Sequence, residues 1–477
     1  MSRPVAVLLR FDTEDFLTPE SDEAALFLAE ALTRRGLRAT FPMTAWKVKS
    51  LLSRKRGDVL QAISKHAVGY HSTSHSFHPT IAEELCEVAD AEAERRFLQR
   101  EEDGLRLVAD RFERLPCAYT QPGGNWVAEA TAALRAWGVP LYYSEDWNSY
   151  IDVAGRPFFL GGVLAYAGEV AAPKPFLSRL PGDLAAARDR LGLAIRRERD
   201  GGPGGIGLVN VVSHPTELVT ETFWDQANFA RGSNRPREDW APPVVRPVQV
   251  VRLAEGAFEE WLQTLCGSGV DVWTAEDLVR AFPDPAAGAS FDTSDAQAIA
   301  SAWAGGRVGS IAIRGVSLTA SEAITLLAQA ARVTGPGGQR LRLTTGSQSP
   351  PWGACEAVSG GGAFTYQEVL AAADALLAGD RLPAVVPVGE ARLSLLDMAT
   401  ALAKAYLLHL GHGDKAARCH RAEGTLLPAR HVKPPERLHW DWPIFPPDFR
   451  PEAVRRRAID ATWTLKPAEA ALCDYVV

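Results

Sequence analysis

The chain has 477 residues, of which 46% are hydrophobic and 23% are charged, and its formal net charge is -7. This length favours two or three domains over one. The acidic balance and the lack of a basic run argue against a nucleic-acid-binding surface, and no stretch reaches the roughly 18 apolar residues of a membrane span.

The cysteines and the first residues of the chain bear on its location. The six cysteines are scattered without a CxxC pair, which is typical of reduced thiols. The opening MSRPVAVLLRFDTEDF has no charged start followed by a long apolar run and a cleavage site, so we expect no signal peptide. These features predict a cytoplasmic protein.

The first 280 residues alternate between strand-like and helix-like segments. The predicted strands are the short apolar runs at 5–11, 39–44, 67–72, 117–122, 140–145 and 206–214 and the end of 257–274. Segments with helical spacing lie between them, for example at 22–36, 83–113 and 183–199. Repeated strand-then-helix units imply parallel strands, so we predict an α/β fold with a distorted (β/α)7-type barrel.

A turn-rich break, FPDPAAGASFDT at 282–293, separates this part from the rest of the chain. We therefore predict a barrel domain over 1–282 and a smaller, mostly helical domain over 292–477. Within the latter, residues 296–331 align with 367–406, and both read as helix, turn, extended segment and helix. Such self-similarity indicates a duplicated module, which could be structural or could mediate homo-oligomerisation.

Polar residues follow several of the predicted strands. In a parallel barrel the carboxyl ends of the strands carry the functional groups, so these residues should meet on one rim. They are Asp12 to Asp15 after the first strand, His71 and His75 after the third, Gln121 to Trp126 after the fourth, Glu145 to Trp147 after the fifth and His214 after the sixth. The two histidines of HSTSH could be metal ligands or residues of a hydrogen-bonded surface turn.

The order of these motifs resembles the polysaccharide deacetylase family (carbohydrate esterase family 4) over roughly residues 4–280. The resemblance rests on a first-strand acidic cluster, the His-x-x-x-His after strand three, a Pro-Gly loop after strand four and a late strand ending in histidine. It implies a distorted barrel and a divalent metal, with Zn²⁺ as the expected ion, held by one acid and two histidines.

The resemblance assigns roles to five positions. His71 and His75 match the metal histidines, Asp12 matches the base, and His214 matches the histidine that protonates the leaving amine. Many family members have two adjacent aspartates, but Thr13 follows Asp12 here. We therefore expect Glu14 to be the metal acid, with Asp15 as the alternative ligand.

The fourth-strand loop departs from the family pattern. Gln121 stands in YTQPGGNW, where the resemblance implies an arginine that orients the base, so the base is expected to lack that partner. We expect the substrate-binding residues to come from this loop and from the end of strand five; they are Gln121, Gly123, Asn125, Trp126, Asp146 and Trp147.

The resemblance predicts a metal-dependent amide hydrolase that removes an acyl group, with acetyl expected, from an N-acylated sugar or a related small molecule. Two alternatives stay open. One is a hydrolase of a non-sugar cyclic amide or ureide on the same scaffold. The other is a non-catalytic carbohydrate-binding protein, which the missing arginine would permit.

Overall fold

The computed structural model describes residues 3–171, 176–201, 205–333, 339–411, 414, 416, 418–419, 424–434 and 442–477. Its first part alternates strands and helices. The strands are β1 (Val5–Phe11), β2 (Thr40–Met43), β3 (Ala67–Tyr70), β4 (Tyr119–Thr120), β5 (Leu141–Glu145), β6 (Phe158–Leu160), β7 (Val163–Gly168), β8 (Gly207–Ser213) and β9 (Asp271–Trp273). The helices are α1 (Glu20–Arg34), α2 (Ala45–Ser53), α3 (Gly57–Ile63), α4 (Ile81–Cys86), α5 (Asp90–Phe112), α6 (Ala130–Trp137), α7 (Leu184–Asp200), α8 (Thr216–Val219), α9 (Gln226–Phe229), α10 (Val248–Gly267) and α11 (Ala275–Ala281).

Strand β1 lies between β8 on one side and β2 and β9 on the other, and all seven of its residues are buried. Its continuous apolar run suits a parallel strand covered on both faces. It pairs with β8 along its whole length, from Val5 opposite Gly207 to Phe11 opposite Ser213. Its other edge pairs with β9 at the start and with β2 at the end.

The sheet curls until its two sides meet. Its order is β6-β7-β5-β4-β3-β2-β1-β8, and the neighbours are parallel except for β6 and β7. A bridge between Val170 and Asn210 joins the end of β7 to β8, and the Ala171 N–H donates to the Asn210 carbonyl at 2.8 Å. The predicted distorted α/β barrel is confirmed.

The β6–β7 hairpin was not predicted from the sequence. Its turn is Gly161-Gly162, and both glycines have positive φ, +58° and +76°. A two-glycine turn with this geometry matches the twist of antiparallel strands. The alternation of strand-like and helix-like segments did not predict this hairpin, because here two strands follow each other directly.

The second part of the chain is mainly helical with short strands. The strands are β10 (Phe291–Asp292), β11 (Arg307–Val308), β12 (Ile311–Ile313), β13 (Val316–Leu318), β14 (Arg340–Leu341), β15 (Phe364–Thr365), β16 (Val385–Val388), β17 (Ala391–Ser394), β18 (Arg418–Cys419) and β19 (Thr425–Leu426). The helices are α12 (Thr293–Trp303), α13 (Ala320–Ala331), α14 (Tyr366–Ala372) and α15 (Leu395–Leu410). Each of the two similar sequence stretches contains a helix, an antiparallel strand pair and a second helix.

The end of the chain returns to the barrel. Helix α16 (Glu452–Ala461) is followed by β20 (Leu465–Pro467), which pairs with β6, and by β21 (Tyr475–Val476), which pairs with β12. On α16, the buried Arg457 forms an ion pair with the buried Glu129 and donates to the Leu85 carbonyl at 2.6 Å. Residues that the sequence grouped with the second domain thus contact the barrel, and the boundary near 282–292 stays a prediction.

Among the described residues, no helix is both long and apolar enough to cross a membrane.

The Arg457–Glu129 pair allows a test of this returning segment. We expect Arg457→Ala to lower the free energy of unfolding by about 3–5 kcal/mol, because Glu129 is then buried without its counter-charge. Arg457→Met combined with Glu129→Leu should restore most of the loss, since an apolar pair needs no compensation. Urea denaturation measures both, with the exposed Arg106→Ala as the control. Equal midpoints for Arg457→Ala and Arg106→Ala would contradict the expectation.

Candidate metal centre

The carboxyl ends of the parallel strands bring five predicted residues together. Asp12 and Glu14 follow β1, His71 and His75 follow β3, and His214 follows β8. Their exposed fractions are all 4% or less, although every one of them is polar. Buried groups of this kind need partners or a metal ion, since an unpaired buried charge costs several kcal/mol.

Glu14 and the two histidines of HSTSH form the core of the cluster. The Glu14 Oε2 atom lies 2.6 Å from His71 Nε2 and 3.1 Å from His75 Nε2. One ligand atom from each residue falls within 4.8 Å of the other two. One carboxylate oxygen and two imidazole nitrogens are a donor set that Zn²⁺ uses.

The turn after β3 orients both imidazoles towards Glu14. Ser72 and His75 have positive φ angles of 68° and 57°, which non-glycine residues adopt rarely. The His75 N–H donates to Ser72 Oγ at 3.0 Å and closes the turn. Two left-handed residues therefore bend the chain so that His75 returns to the side of the barrel that carries His71.

Neighbouring groups determine which atoms remain available to an ion. His71 Nδ1 donates to the Thr120 carbonyl at 2.8 Å, which leaves Nε2 towards Glu14. His75 Nδ1 lies 2.5 Å from Ser76 Oγ, and that hydroxyl donates to Asp225 at 2.6 Å. Such bonds to the far ring nitrogen fix the tautomer of metal-binding histidines.

The other oxygen of Glu14 has its own partner. Trp224 Nε1 donates to Glu14 Oε1 at 3.0 Å. Burial alone would raise the pKa of Glu14, but His75, His214 and the hydrogen bonds from both HSTSH histidines hold it well below its usual range. Burial lowers the pKa of His75 despite the charge of Glu14. An ionised carboxylate beside a neutral imidazole suits a cation, so these residues fit a divalent metal.

Asp15, the alternative metal ligand, makes its hydrogen bonds away from the two histidines. Its Oδ1 accepts from the backbone N–H groups of Leu17 and Thr18, both at 2.9 Å, and its Oδ2 accepts from Thr216 Oγ1 at 2.8 Å. The carboxylate therefore orders the turn before α1. Of the two candidates, Glu14 is the one that lies against the histidines.

Arg10 supplies the contact that the sequence analysis found missing. Its Nε lies 3.0 Å from Asp12 Oδ1, and its Nη2 donates to Asp12 Oδ2 at 3.2 Å. The same guanidinium pairs with Glu145 and lies over the Tyr143 ring, 4.7 Å from its centroid. The expectation that Asp12 lacks an arginine partner is corrected: the arginine comes from β1, two residues before Asp12, and not from the loop after β4.

His214 has a carboxylate partner of its own. Its Nδ1 lies 2.7 Å from Glu217 Oε1, and its Nε2 is 3.9 Å from Asp12 Oδ2. Glu217 Oε2 accepts from Ser213 Oγ at 2.7 Å, which fixes the carboxylate. The imidazole is therefore oriented with Nε2 towards Asp12. Glu217 was visible in the sequence SHPTE but was not predicted as part of the site.

Asp12, Glu14, His71, His75 and His214 face one cavity of about 170 Å³. Of the predicted substrate-binding residues, Gln121, Gly123 and Trp147 line it, and so does Glu145, which the sequence placed among the polar strand-end residues. The other wall residues were not predicted from the sequence; they are Phe223, Asp225, Gln226, Trp442 and Pro443. Burial raises the pKa of Asp225 to about 7, although Ser76 donates to it; the charge of Glu14 also raises it.

Three predicted substrate-binding residues lie away from the cavity. Asn125 accepts from the Ala82 N–H at 3.0 Å and is fully buried. Trp126 stacks on Tyr142 at a centroid distance of 5.8 Å and belongs to the barrel core. Asp146 lines a different cavity, of about 320 Å³, which lies between β7, β8 and α7. None of these three side chains therefore lines the cavity beside the metal-ligand cluster.

Comparison with known proteins returned only structural matches. No family model matches the sequence, and no curated protein matches it. A putative polysaccharide deacetylase from Mycobacterium smegmatis is 16% identical over 58% of this chain and 91% of its own, with a TM-score of 0.38. A family 4 carbohydrate esterase from Streptomyces lividans, in complex with acetate, is 17% identical over 57% and 91%, with a TM-score of 0.29.

A family 4 pseudoenzyme from Bacillus anthracis is also similar, with 13% identity over 58% of this chain and 66% of its own and a TM-score of 0.31. At these identities and scores the likeness carries no argument about chemistry, which must rest on the geometry above. The family that the sequence motifs resemble is the family that the structural comparison returns.

Proposed function

We propose that this protein is a metal-dependent hydrolase of the polysaccharide deacetylase type, which cleaves the amide bond of an N-acylated sugar or a related small molecule. The observation that carries the proposal is the convergence of Glu14, His71 and His75 beside two further polar pairs, Arg10–Asp12 and Glu217–His214. The two pairs place a carboxylate, Asp12, and an imidazole, His214, beside Glu14, which are the groups that a base and an acid for amide hydrolysis require.

The cluster would hold the ion through Glu14 Oε2 and the Nε2 atoms of His71 and His75, with Zn²⁺ as the expected metal. When bound, such an ion polarises an acyl carbonyl and lowers the pKa of a water molecule.

Asp12 and His214 supply the proton transfers. Asp12 accepts a proton from the attacking water, whose oxygen bonds to the acyl carbon. His214 donates a proton to the amide nitrogen as the C–N bond breaks, so the amine leaves neutral and the acyl group leaves as a carboxylic acid, which then loses its proton to solvent. The proton held by Asp12 returns to solvent and His214 takes one up, which restores the starting state. Arg10 holds the Asp12 carboxylate in place, and Glu217 stabilises the charged imidazolium of His214.

Metal content tests the ligand set. We expect the native protein to bind about one Zn²⁺ per chain after incubation and dialysis, as measured by inductively coupled plasma mass spectrometry. His71→Ala and His75→Ala should each lose it, because the remaining two ligands bind weakly.

His78→Ala is the matched control, since His78 lies in the same segment but is bonded to Glu83 and to the Phe229 carbonyl. Equal metal in all four proteins, or none in the native protein, would contradict the assignment.

Turnover separates the proposal from its alternatives. We expect the zinc-loaded protein to release acetate from N-acetylated amino sugars, and Asp12→Asn to lower kcat by about 10²–10⁴-fold because the base is lost. Asp146→Asn is the control, since Asp146 lines the other cavity. Hydrolysis of cyclic amides or ureides but not of sugars would favour the first alternative. Sugar binding without turnover, unchanged by a chelator, would favour the second.

Arg10 should act on the rate and not on substrate binding. We expect Arg10→Lys to lower kcat by about 10-fold or more with KM unchanged, since a lysine cannot keep contacts to Asp12 and Glu145 with one planar group. Metal content should stay at the native value, and the thermal unfolding midpoint should fall while the protein stays folded at the assay temperature, because Asp12 or Glu145 then loses part of its buried counter-charge. If KM rises while kcat is unchanged, Arg10 contributes to substrate binding and does not position the base.

A further inference from the structure

A segment from the end of the chain forms one wall of the candidate site. Residues 442–449, here called the strap, run beside the loop that follows α9. The Arg231 N–H donates to the Pro443 carbonyl and the Gly232 N–H donates to the Ile444 carbonyl, both at 2.9 Å. Ile444 is fully buried in an aromatic cluster whose other members are Phe16, Trp224 and Phe229. The strap is therefore anchored by backbone and by side chain.

Trp442 is the strap residue nearest the metal ligands. The centroid of its ring lies 5.8 Å from that of His75 and 5.2 Å from that of Phe445. Both Trp442 and Pro443 line the cavity. The strap thus reaches the cluster from a position more than 360 residues further along the chain than His75.

The loop after β4 has two glycines where the strap crosses it. A Cβ atom on Gly123 would lie 2.2 Å from Trp442 Cε2, and a Cβ atom on Gly124 would lie 2.9 Å from Phe445 Cε2. Gly123 also has a φ of +44°, which favours glycine. Only residues without a side chain allow this close contact, so the strap and the loop join without a gap at these positions.

Buried and exposed residues divide the cavity into a floor and a mouth. The floor residues Asp12, Glu14, His71, His75, Gln121, Glu145, His214 and Asp225 are each at most 4% exposed. The more exposed residues around the mouth are Gly123, Trp147, Phe223, Gln226, Trp442 and Pro443. They come from the loops after β4, β5 and β8 and from the strap, so they surround the cluster.

The size of the cavity limits what can reach the floor. Its volume is about 170 Å³. Sites for drug-sized ligands measure about 300–1,000 Å³. An acylamino group and part of one ring fit this space. A unit within a polymer would need a groove that is open at both ends.

We propose that the strap, through Trp442, restricts the site to a single N-acylated unit or a chain end and excludes units flanked on both sides. This inference rests on the proposed deacetylase function. The aromatic rings of Trp147 and Phe223 offer flat apolar faces at the mouth, which suit one face of a sugar ring, and Trp442 closes the side opposite the loop glycines.

The test compares N-acetylglucosamine with its β-1,4-linked tetramer. The proteins are the native chain, Trp442→Ala and the control Trp240→Ala, whose indole lies in the neighbouring aromatic cluster but not on the cavity. Mass spectrometry shows which units of the tetramer lose acetyl. We expect the native protein and Trp240→Ala to act on the monomer and on terminal units only.

We expect Trp442→Ala to remove acetyl from the inner units at a rate about 10-fold or more above the native rate, because the opened mouth admits a flanked unit. The quantity compared is the ratio of the inner-unit rate to the monomer rate within each protein, so a change in rate that is common to both substrates does not count. Inner-unit hydrolysis by the native protein at the monomer rate would overturn the strap inference while supporting the proposed function.

If neither the native protein nor either variant releases acetate, the proposed function is wrong. Isothermal titration calorimetry with the two sugars then tests whether the strap restricts binding to the monomer. A ratio of tetramer affinity to monomer affinity that is about 10-fold higher in Trp442→Ala than in the native protein supports it. Equal tetramer binding in the two proteins, or no binding of either sugar, overturns it.

Discussion

The buried carboxylate of Glu14 is the constraint on which the site depends. An ionised group with 1% exposure is stable only if it is surrounded by donors or cations. Its partners come from two separate parts of the barrel: His71 and His75 from the turn after β3, and Trp224 from the segment after β8. The need to satisfy one charge therefore fixes the relative positions of these loops, and the same arrangement presents three donor atoms to a cation.

Strand periodicity explains how the sequence encodes the rest of the centre. Side chains two residues apart lie on the same face of an extended strand, so Arg10, Asp12 and Glu14 all face the interior. The parallel bridge between Thr13 and Met43 continues the extended backbone beyond β1. Applying this rule to RFDTED would have predicted Arg10 as the partner of Asp12. The fourth-strand loop does not contain this arginine, because the contact to Asp12 is made here from a different sequence position, on β1.

The features that could be predicted from the sequence are those that depend on local residue patterns. Apolar runs and helical spacing predicted the barrel, and the strand ends located Asp12, Glu14, His71, His75 and His214. The directions in which neighbouring side chains point could not be predicted. Asp146 and Trp147 are adjacent in the chain, yet they line different cavities. Asp225 and Trp442 were missed for another reason, since only the tertiary fold brings them to His75.

The second part of the chain gains a physical role from the strap. Residues 442–449 can hold Trp442 against Gly123 only if the chain that follows is fixed. Arg457 fixes α16 to the barrel through Glu129, and the buried Lys466 on β20 contacts Glu322 of α13 at 3.0 Å and Asp284 at 2.9 Å. Since Glu322 also caps α13, the ion cluster connects the helical module, the barrel edge and the strap. The proposed selectivity at the barrel mouth would therefore depend on the same returning segment that contacts the helical module.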